Sequence, residues 1–492
     1  MRATLRSLPT PDELRIALTA RLTRKQRSTL GQFMTPARTA EFMASLFEWR
    51  GESKFRLLDP GAGLGALTDA FLRRKDAEAI GGDVDVTAFE IDPILCANLR
   101  EMLEHSSAQS FEICESDFVE KAPAWILDGS RRFTHVILNP PYKKIRSTSG
   151  HRSSLRDVGI ETVNLYSAFV ALCIELIESG GQLVAIIPRS FCNGTYYKPF
   201  RRMLLDLCAI RRIHLFGARD KAFGDDGILQ ENVIVVLERG GIQGPVTIST
   251  STDDSLTDIA ERIISFSEIV EADDRERFIR IPIAHDGQET IITDHSEMEL
   301  LGHLGIEVST GPVVDFRLRD YLRAEPTGDT VPLLYPGHFQ RGVTIWPRAE
   351  FRKPNALALN DETWRWLYPK GFYTVVRRLT SKEEKRRVVA NVVDPESFPG
   401  VELLGFENHL NVFHQRKRGL DAELAHGLAA YLNTDEVDQH FRSFNGHTQV
   451  NAGDLRSMRY PSVEALRELG REALRGLQRS DVVDALPESL TA

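Results

Sequence analysis

The stretch Leu57-Leu58-Asp59-Pro60-Gly61-Ala62-Gly63-Leu64-Gly65 decides the fold. An apolar run ends on an acid and a proline, and three glycines then carry the chain into a segment with helical spacing. Glycine permits left-handed backbone angles and close approach of a ligand to the main chain, while the N-terminus of the following helix favours negative charge. Strand, glycine turn and helix in that order open a doubly wound α/β sheet.

Working outward, apolar runs at 55–58, 86–89, 135–138, 182–187, 210–216 and 233–237 alternate with segments of helical periodicity. Strands of this kind, buried on both faces and joined through helices, indicate a mostly parallel sheet. The last two runs flank Gly224-Asp225-Asp226-Gly227 instead of an amphipathic helix, which predicts an antiparallel hairpin at the sheet edge. Ahead of the sheet, 36–48 has helical spacing behind Thr35, a residue suited to capping. Residues 1–243 are therefore expected to form the catalytic domain. Residues 244–310 carry 15 Asp/Glu against 4 Lys/Arg, so 244–308 are expected to be an acidic connector and the rest of the chain nets +2 against a total of -9. A Gly/Pro/aromatic-rich stretch without α/β periodicity, 309–475, predicts a separate α+β module, followed by a tail at 476–492.

The carboxyl ends of the strands carry the chemistry, since ligands of doubly wound sheets bind there. Glu90, in Phe89-Glu90-Ile91-Asp92, ends the second strand and is placed to accept hydrogen bonds from ribose hydroxyls. Asp117-Phe118 follows the third strand and offers a carboxylate for an adenine amino group with a ring for the base face. Asn139-Pro140-Pro141-Tyr142 follows the fourth. An exocyclic amino nitrogen is a poor nucleophile because its lone pair is delocalised into the ring. The Asn139 side-chain oxygen and the Pro140 carbonyl can each accept one N–H, turning that lone pair toward an electrophile. Pro140 and Pro141 fix the backbone, and Tyr142 can stack on a base. A nicotinamide enzyme has no need of this tetrapeptide.

In these motifs and their order the sequence resembles the gamma-class N6-adenine DNA methyltransferases of restriction-modification systems, the TaqI-like and PstI-like modification enzymes. The resemblance begins at Leu30-Gly31-Gln32-Phe33-Met34-Thr35-Pro36 and runs through the glycine loop, Glu90, Asp117-Phe118 and the tetrapeptide to Asn164-Leu165-Tyr166 and 180–191. It implies a class I methyltransferase sheet with a C-terminal target-recognition domain. It also implies S-adenosyl-L-methionine held by Thr35, Pro36, Asp59, Gly61, Ala62, Gly63, Glu90, Ile91, Asp117, Phe118 and Asn139. The substrate it implies is an adenine flipped from duplex DNA and stacked by Tyr142 and by an aromatic near the hairpin, best matched by Phe223 with Phe216 as the alternative. Ser309-Thr310-Gly311-Pro312, Glu407 to Asn411 and Gly446 to Asn451 are similar to elements of the specificity region.

Flipping needs a grip on the duplex. Candidate phosphate contacts are Lys143, Lys144 and Arg146 beyond the tetrapeptide, and Arg377, Arg378, Lys382, Lys385, Arg386, Arg387, Arg416, Lys417 and Arg418 in the second module. A cognate restriction endonuclease acting independently is an expected partner. Hydrophobic content of 42% with 27% charged residues describes a globular protein. The sequence has no apolar run of membrane-spanning length, and its N-terminus lacks a signal-peptide core. Five cysteines without metal-ligand spacing read as reduced thiols, so a cytoplasmic protein without a metal is expected. Two rival enzymes remain open: a methyltransferase acting on protein glutamine or ribosomal guanine, and the modification subunit of a multi-subunit restriction system. The C-terminal module counts against the first, and the short segment before Leu30 against the second.

Overall fold

Capping and patterning explain how the first elements form. In the computed structural model, which describes residues 10–14, 34–146, 148–217, 232–272, 274–282, 298–340, 343–381, 384–445 and 448–484, α1 (Ala37–Ser45) precedes β1 (Lys54–Pro60) and α2 (Ala66–Ala77). After β2 (Asp83–Phe89), α3 (Pro93–Glu104) starts where Asp92 accepts from the Ile94 and Leu95 amides, with Pro93 in the first turn. After β3 (Ser110–Cys114), Asp117 caps α4 (Phe118–Asp128) by accepting from the Val119 amide. β4 (Phe133–Leu138) is buried along its whole length. Then come α5 (Gly150–Asp157), α6 (Leu165–Leu176), β5 (Ile177–Pro188), α7 (Lys198–Leu207), β6 (Cys208–Phe216), β7 (Asn232–Arg239), β8 (Val246–Ser251) and β9 (Ala260–Ile264).

These nine strands make one sheet in the order β3-β2-β1-β4-β5-β7-β6-β8-β9. The first five are parallel, and β7 runs antiparallel to both β5 and β6. This is the class I methyltransferase sheet that the motif order implies. From β1 the chain winds one way through β2 and β3 and the other way through β4 and β5. That reversal opens a crevice at the carboxyl ends of β1 and β4. On one face, Met43, Ala44 and Phe47 of the α1 segment pack with Val184, Ile186, Ile234 and Val236.

Two sequence expectations need correction. The β6–β7 hairpin exists but is not the edge, because β8 adds parallel to β6 and β9 adds antiparallel to β8. The supposed acidic connector accordingly supplies two strands of the sheet. Val246, Ile248 and Ser249 are buried in β8 while the acids gather in the turns and on β9. The chain divides into two compact units between Ile281 and Pro282 rather than at 243 and 309.

The second unit, taken by itself, contains a four-stranded antiparallel sheet of Glu307–Thr310, Leu410–His414, Tyr373–Arg377 and Ala390–Val393. A five-stranded mixed sheet is built around Thr330–Leu334 and Leu403–Phe406. The helix Ala422–Leu432 is tied to the first sheet: Thr374 donates to the Ala425 carbonyl at 2.8 Å, and the Asn433 carboxamide pairs with both backbone groups of Ala390. It crosses the helix Val463–Asp484 at Gly427 and Gly470. A Cβ on Gly427 would lie 1.6 Å from the Leu466 carbonyl oxygen, and one on Gly470 would lie 1.8 Å from that of Glu423. Among the described residues, no helix is long and apolar enough to cross a membrane.

Candidate active site

The glycine turn after β1 is shaped by three left-handed residues, Gly61, Gly63 and Gly65, with φ of 80°, 58° and 82°. It folds over the end of β2, where the Gly61 and Ala62 amides donate to the Phe89 carbonyl at 2.9 and 2.8 Å. Glu90 then gathers three backbone amides: Gly63 on one oxygen at 3.0 Å, and Ile91 and Asp92 on the other at 2.8 and 2.9 Å. One carboxylate thus fixes two strand ends.

Below this turn and above α4 lies a cavity of about 320 Å³. Thr35, Gly61, Ala62, Gly63, Glu90, Ile91, Asp117, Phe118, Asn139 and Pro141 line it, together with Lys143. Folding has therefore brought together residues spread over more than a hundred positions of sequence. Asp59 and Pro36, also expected there, do not line it. Asp59 is fully buried beneath the turn, where its Oδ2 accepts from Thr68 at 2.7 Å and its Oδ1 has no partner. Burial pushes its carboxyl up to about 7, opposed by the Thr68 bond and reinforced by Glu90. Pro36 starts α1, and its carbonyl accepts from the Ala40 amide.

The tetrapeptide joins this cavity to α1. Asn139 donates through Nδ2 to the Thr35 hydroxyl at 3.1 Å, and its Oδ1 accepts from the Tyr142 hydroxyl at 3.1 Å. Tyr142 also reaches the Ile186 carbonyl at 3.3 Å, and burial pushes its phenol far above the usual range. The tetrapeptide is therefore fastened on three sides: to the segment ahead of α1, to itself and to β5.

Several lining residues lie outside the expected site set, His151, Leu165 and Phe169 among them. His151 on α5 meets Asp117 Oδ2 at 3.0 Å, and Leu165 and Phe169 of α6 complete the wall. The two apolar residues read as core of an apolar helix, and the histidine stands in a polar stretch without motif or spacing. Phe216 is core: it is 5% exposed and packs edge-on against His214 with ring centroids 4.9 Å apart. Phe223 lies outside the described residues.

The expected phosphate contacts divide sharply. Lys143, Lys144, Arg146, Lys385, Arg416, Lys417 and Arg418 are exposed. Arg387 is not: it is fully buried, bonded through its guanidinium to Thr380 and Asn445 and through its amide to Asp438. Arg377 pairs with Glu384, Arg386 with Asp435 at 2.7 Å, and Arg378 reaches the Asn408 carbonyl and Gln449. These four arginines are held by partners in the second unit, which a sequence charge count does not distinguish from a solvent-facing run. Lys382 lies outside the described residues.

A family model for the Eco57I restriction-modification methylase matches residues 83–223. The Type II methyltransferase M.BsuBI of Bacillus subtilis is 48% identical over 489 residues, spanning 97% of this chain and 96% of that protein. The chain belongs to the Type II methyltransferases. Another member, M.PstI of Providencia stuartii, is 41% identical over 485 residues, covering 94% of this chain and 92% of that one. As a Type II methyltransferase it extends through both units, since these matches leave neither aside. Among solved structures, the Type IIL restriction-modification enzyme MmeI in complex with DNA matches with a TM-score of 0.55 at 11% identity, over 96% of this chain and 75% of that one. That likeness is one of fold.

Proposed function

We propose that this Type II methyltransferase transfers a methyl group from S-adenosyl-L-methionine to N6 of an adenine flipped out of duplex DNA, as the modification enzyme of a cytoplasmic restriction-modification system with an independent endonuclease. The observation that carries the reading is the Thr35–Asn139–Tyr142 arrangement beside a cavity lined by two carboxylates and three phenyl rings. The chemistry of that wall suits an adenosyl group. Glu90 offers acceptors to ribose hydroxyls, Asp117 an acceptor to an amino group, and Phe118 and Phe169 faces for a purine. When bound, the cofactor supplies an electrophilic methyl on a positively charged sulfur, so the chain's own task is positioning rather than strong base catalysis.

In this reading the Asn139 oxygen and the Pro140 carbonyl each accept one N–H of the target amino group, localising its lone pair. Thr35 holds the Asn139 amide by accepting from Nδ2, so that the carboxamide oxygen faces the substrate. Tyr142, anchored through its hydroxyl, presents its ring to the base. The exposed cations Lys143, Lys144, Arg146, Lys385, Arg416, Lys417 and Arg418 are the candidate phosphate contacts, and the second unit supplies site selection. The test is to incubate full-length protein with methyl-labelled cofactor and plasmid DNA, hydrolyse the DNA, and identify the labelled nucleoside by mass spectrometry. N6-methyl-2′-deoxyadenosine is the expected product. Label on cytosine, or none on DNA, overturns the reading.

A further inference from the structure

Asn232 opens β7 with a side chain that the structure leaves unexplained. It is 2% exposed, and neither its carboxamide oxygen nor its nitrogen has a hydrogen-bond partner. Buried amides are almost always paired, because an unmet donor or acceptor forfeits its hydration without return. A ligand that satisfies it is one reason for such a group to be retained.

Its place in the sheet indicates which ligand. Leu138 pairs with Ala185 across β4 and β5, so Asn139 stands level with Ile186, whose partner on β7 is Ile234. Asn232, the partner of Pro188, lies two residues beyond Ile234 toward the carboxyl edge. Alternation puts it on the face of Ile234 and Val236, which pack against the α1 segment. Asn139 turns to the same side, toward Thr35 just ahead of α1. Two strand spacings and two residues separate the asparagines, on the order of 12 Å between backbones. Two side chains and one planar base bridge that gap. The Ile186 carbonyl, which anchors Tyr142, lies on the strand between them. From the facing helix, Thr39 adds a second fully buried polar group, a hydroxyl without a partner.

We propose that Asn232 is a further substrate-binding residue, its carboxamide hydrogen-bonding a ring nitrogen of the base whose amino group meets Asn139. The inference rests on the adenine reading above and deepens it: one asparagine presents the reacting nitrogen, and the other checks the ring behind it. Entry of the base uncovers the carboxamide and supplies its missing partner.

The experiment maps the methylated site on plasmid DNA with the wild-type enzyme. Full-length Asn232→Leu and Asn232→Ala are then compared with wild type on duplexes carrying adenine, 1-deazaadenine, 3-deazaadenine or 7-deazaadenine at that position. On adenine, kcat/KM should fall roughly 10- to 100-fold in both variants. On the one analogue that lacks the contacted nitrogen, variant and wild type should converge. The melting temperature of Asn232→Leu should hold or rise, since the substitution removes an unmet buried amide. An equal loss on all four bases, unchanged activity, or a fall in melting temperature parallel to the activity loss in both variants overturns the proposal. Wild-type label on another base defeats the adenine reading itself, whereas adenine labelling indifferent to Asn232 defeats this inference alone.

Discussion

The carboxyl edge of the nine-stranded sheet and the basic runs of the second unit put their polar side chains to opposite uses. At the sheet edge, Glu90, Asp117 and Asn139 are held by backbone amides or a neighbouring hydroxyl and still line an open cavity. In the second unit, Arg377, Arg386 and Arg387 are absorbed by Glu384, Asp435, Thr380 and Asn445. A polar residue at a strand end, where the chain must turn away, is left facing outward. One within a folded loop is enlisted to satisfy the loop.

The most severe test of this contrast is Asn139→Ala. Removing the acceptor proposed to serve the target amino group should lower methylation by about 10³-fold, while calorimetry shows cofactor affinity nearly unchanged, since each transition-state donor or acceptor is worth roughly 10² to 10³. Normal turnover by the folded variant would put the edge residues in the same bracing class as the arginines.

Next in size is Gly427→Ala, whose new methyl would fall on the Leu466 carbonyl. A clash with backbone has no rotamer to relieve it, so the second unit should lose about 3 kcal/mol or more in denaturant unfolding. Unchanged stability would show that the helix pair can separate.

The pH dependence of Asp59 sharpens the comparison from within the first unit. Its folded carboxyl is pushed up to about 7 from an ordinary 3.8, so between those values the folded state binds a proton that the unfolded state has released. Its contribution therefore makes stability fall as pH rises from about 4 to about 7. Asp59→Asn, which keeps an acceptor for Thr68, should remove that slope and add on the order of 2 kcal/mol at pH 8. Urea titrations of both proteins at pH 5 and pH 8 measure this, and equal slopes would contradict it.

The smallest effect separates the two classes of cation. Replacing Arg416, Lys417 and Arg418 together by Gln should weaken DNA binding about 10-fold at ~0.1 M salt and flatten its salt dependence by two to three phosphate contacts. Arg387→Met should lower the melting temperature and leave the salt slope alone. A reversed pattern would mean that burial does not sort these residues.

Most of the first unit was legible in the sequence because its strands are buried on both faces and its chemistry sits at their ends. β3 was not among the apolar runs, since it is the outer strand and Glu112 alternates into its short run. β8 and β9 were missed for a related reason. The Val246–Ile248 alternation is brief and lies inside a segment whose acid count dominates any window average. In the site, the motif residues could be found because backbone chemistry ties them to fixed offsets from strand ends. His151 could not, because only the packing of α5 brings it to Asp117. The same limit explains Arg387, where burial depends on Asn445, 58 positions away along the chain.

The crossing of Gly427 and Gly470 bears on how the molecule can be redesigned. Where two helices touch main chain to main chain, their spacing is set by peptide groups, so no trade of large for small side chains can reset it. One of those helices is also pinned to the four-stranded sheet through Thr374 and Asn433. Loop 415–418 leads from the strand Leu410–His414 toward the start of the helix Ala422–Leu432. Under the site-selection role proposed for the second unit, libraries aimed at new DNA targets should vary such loops and keep glycine at both positions, where even alanine would push the helix pair apart.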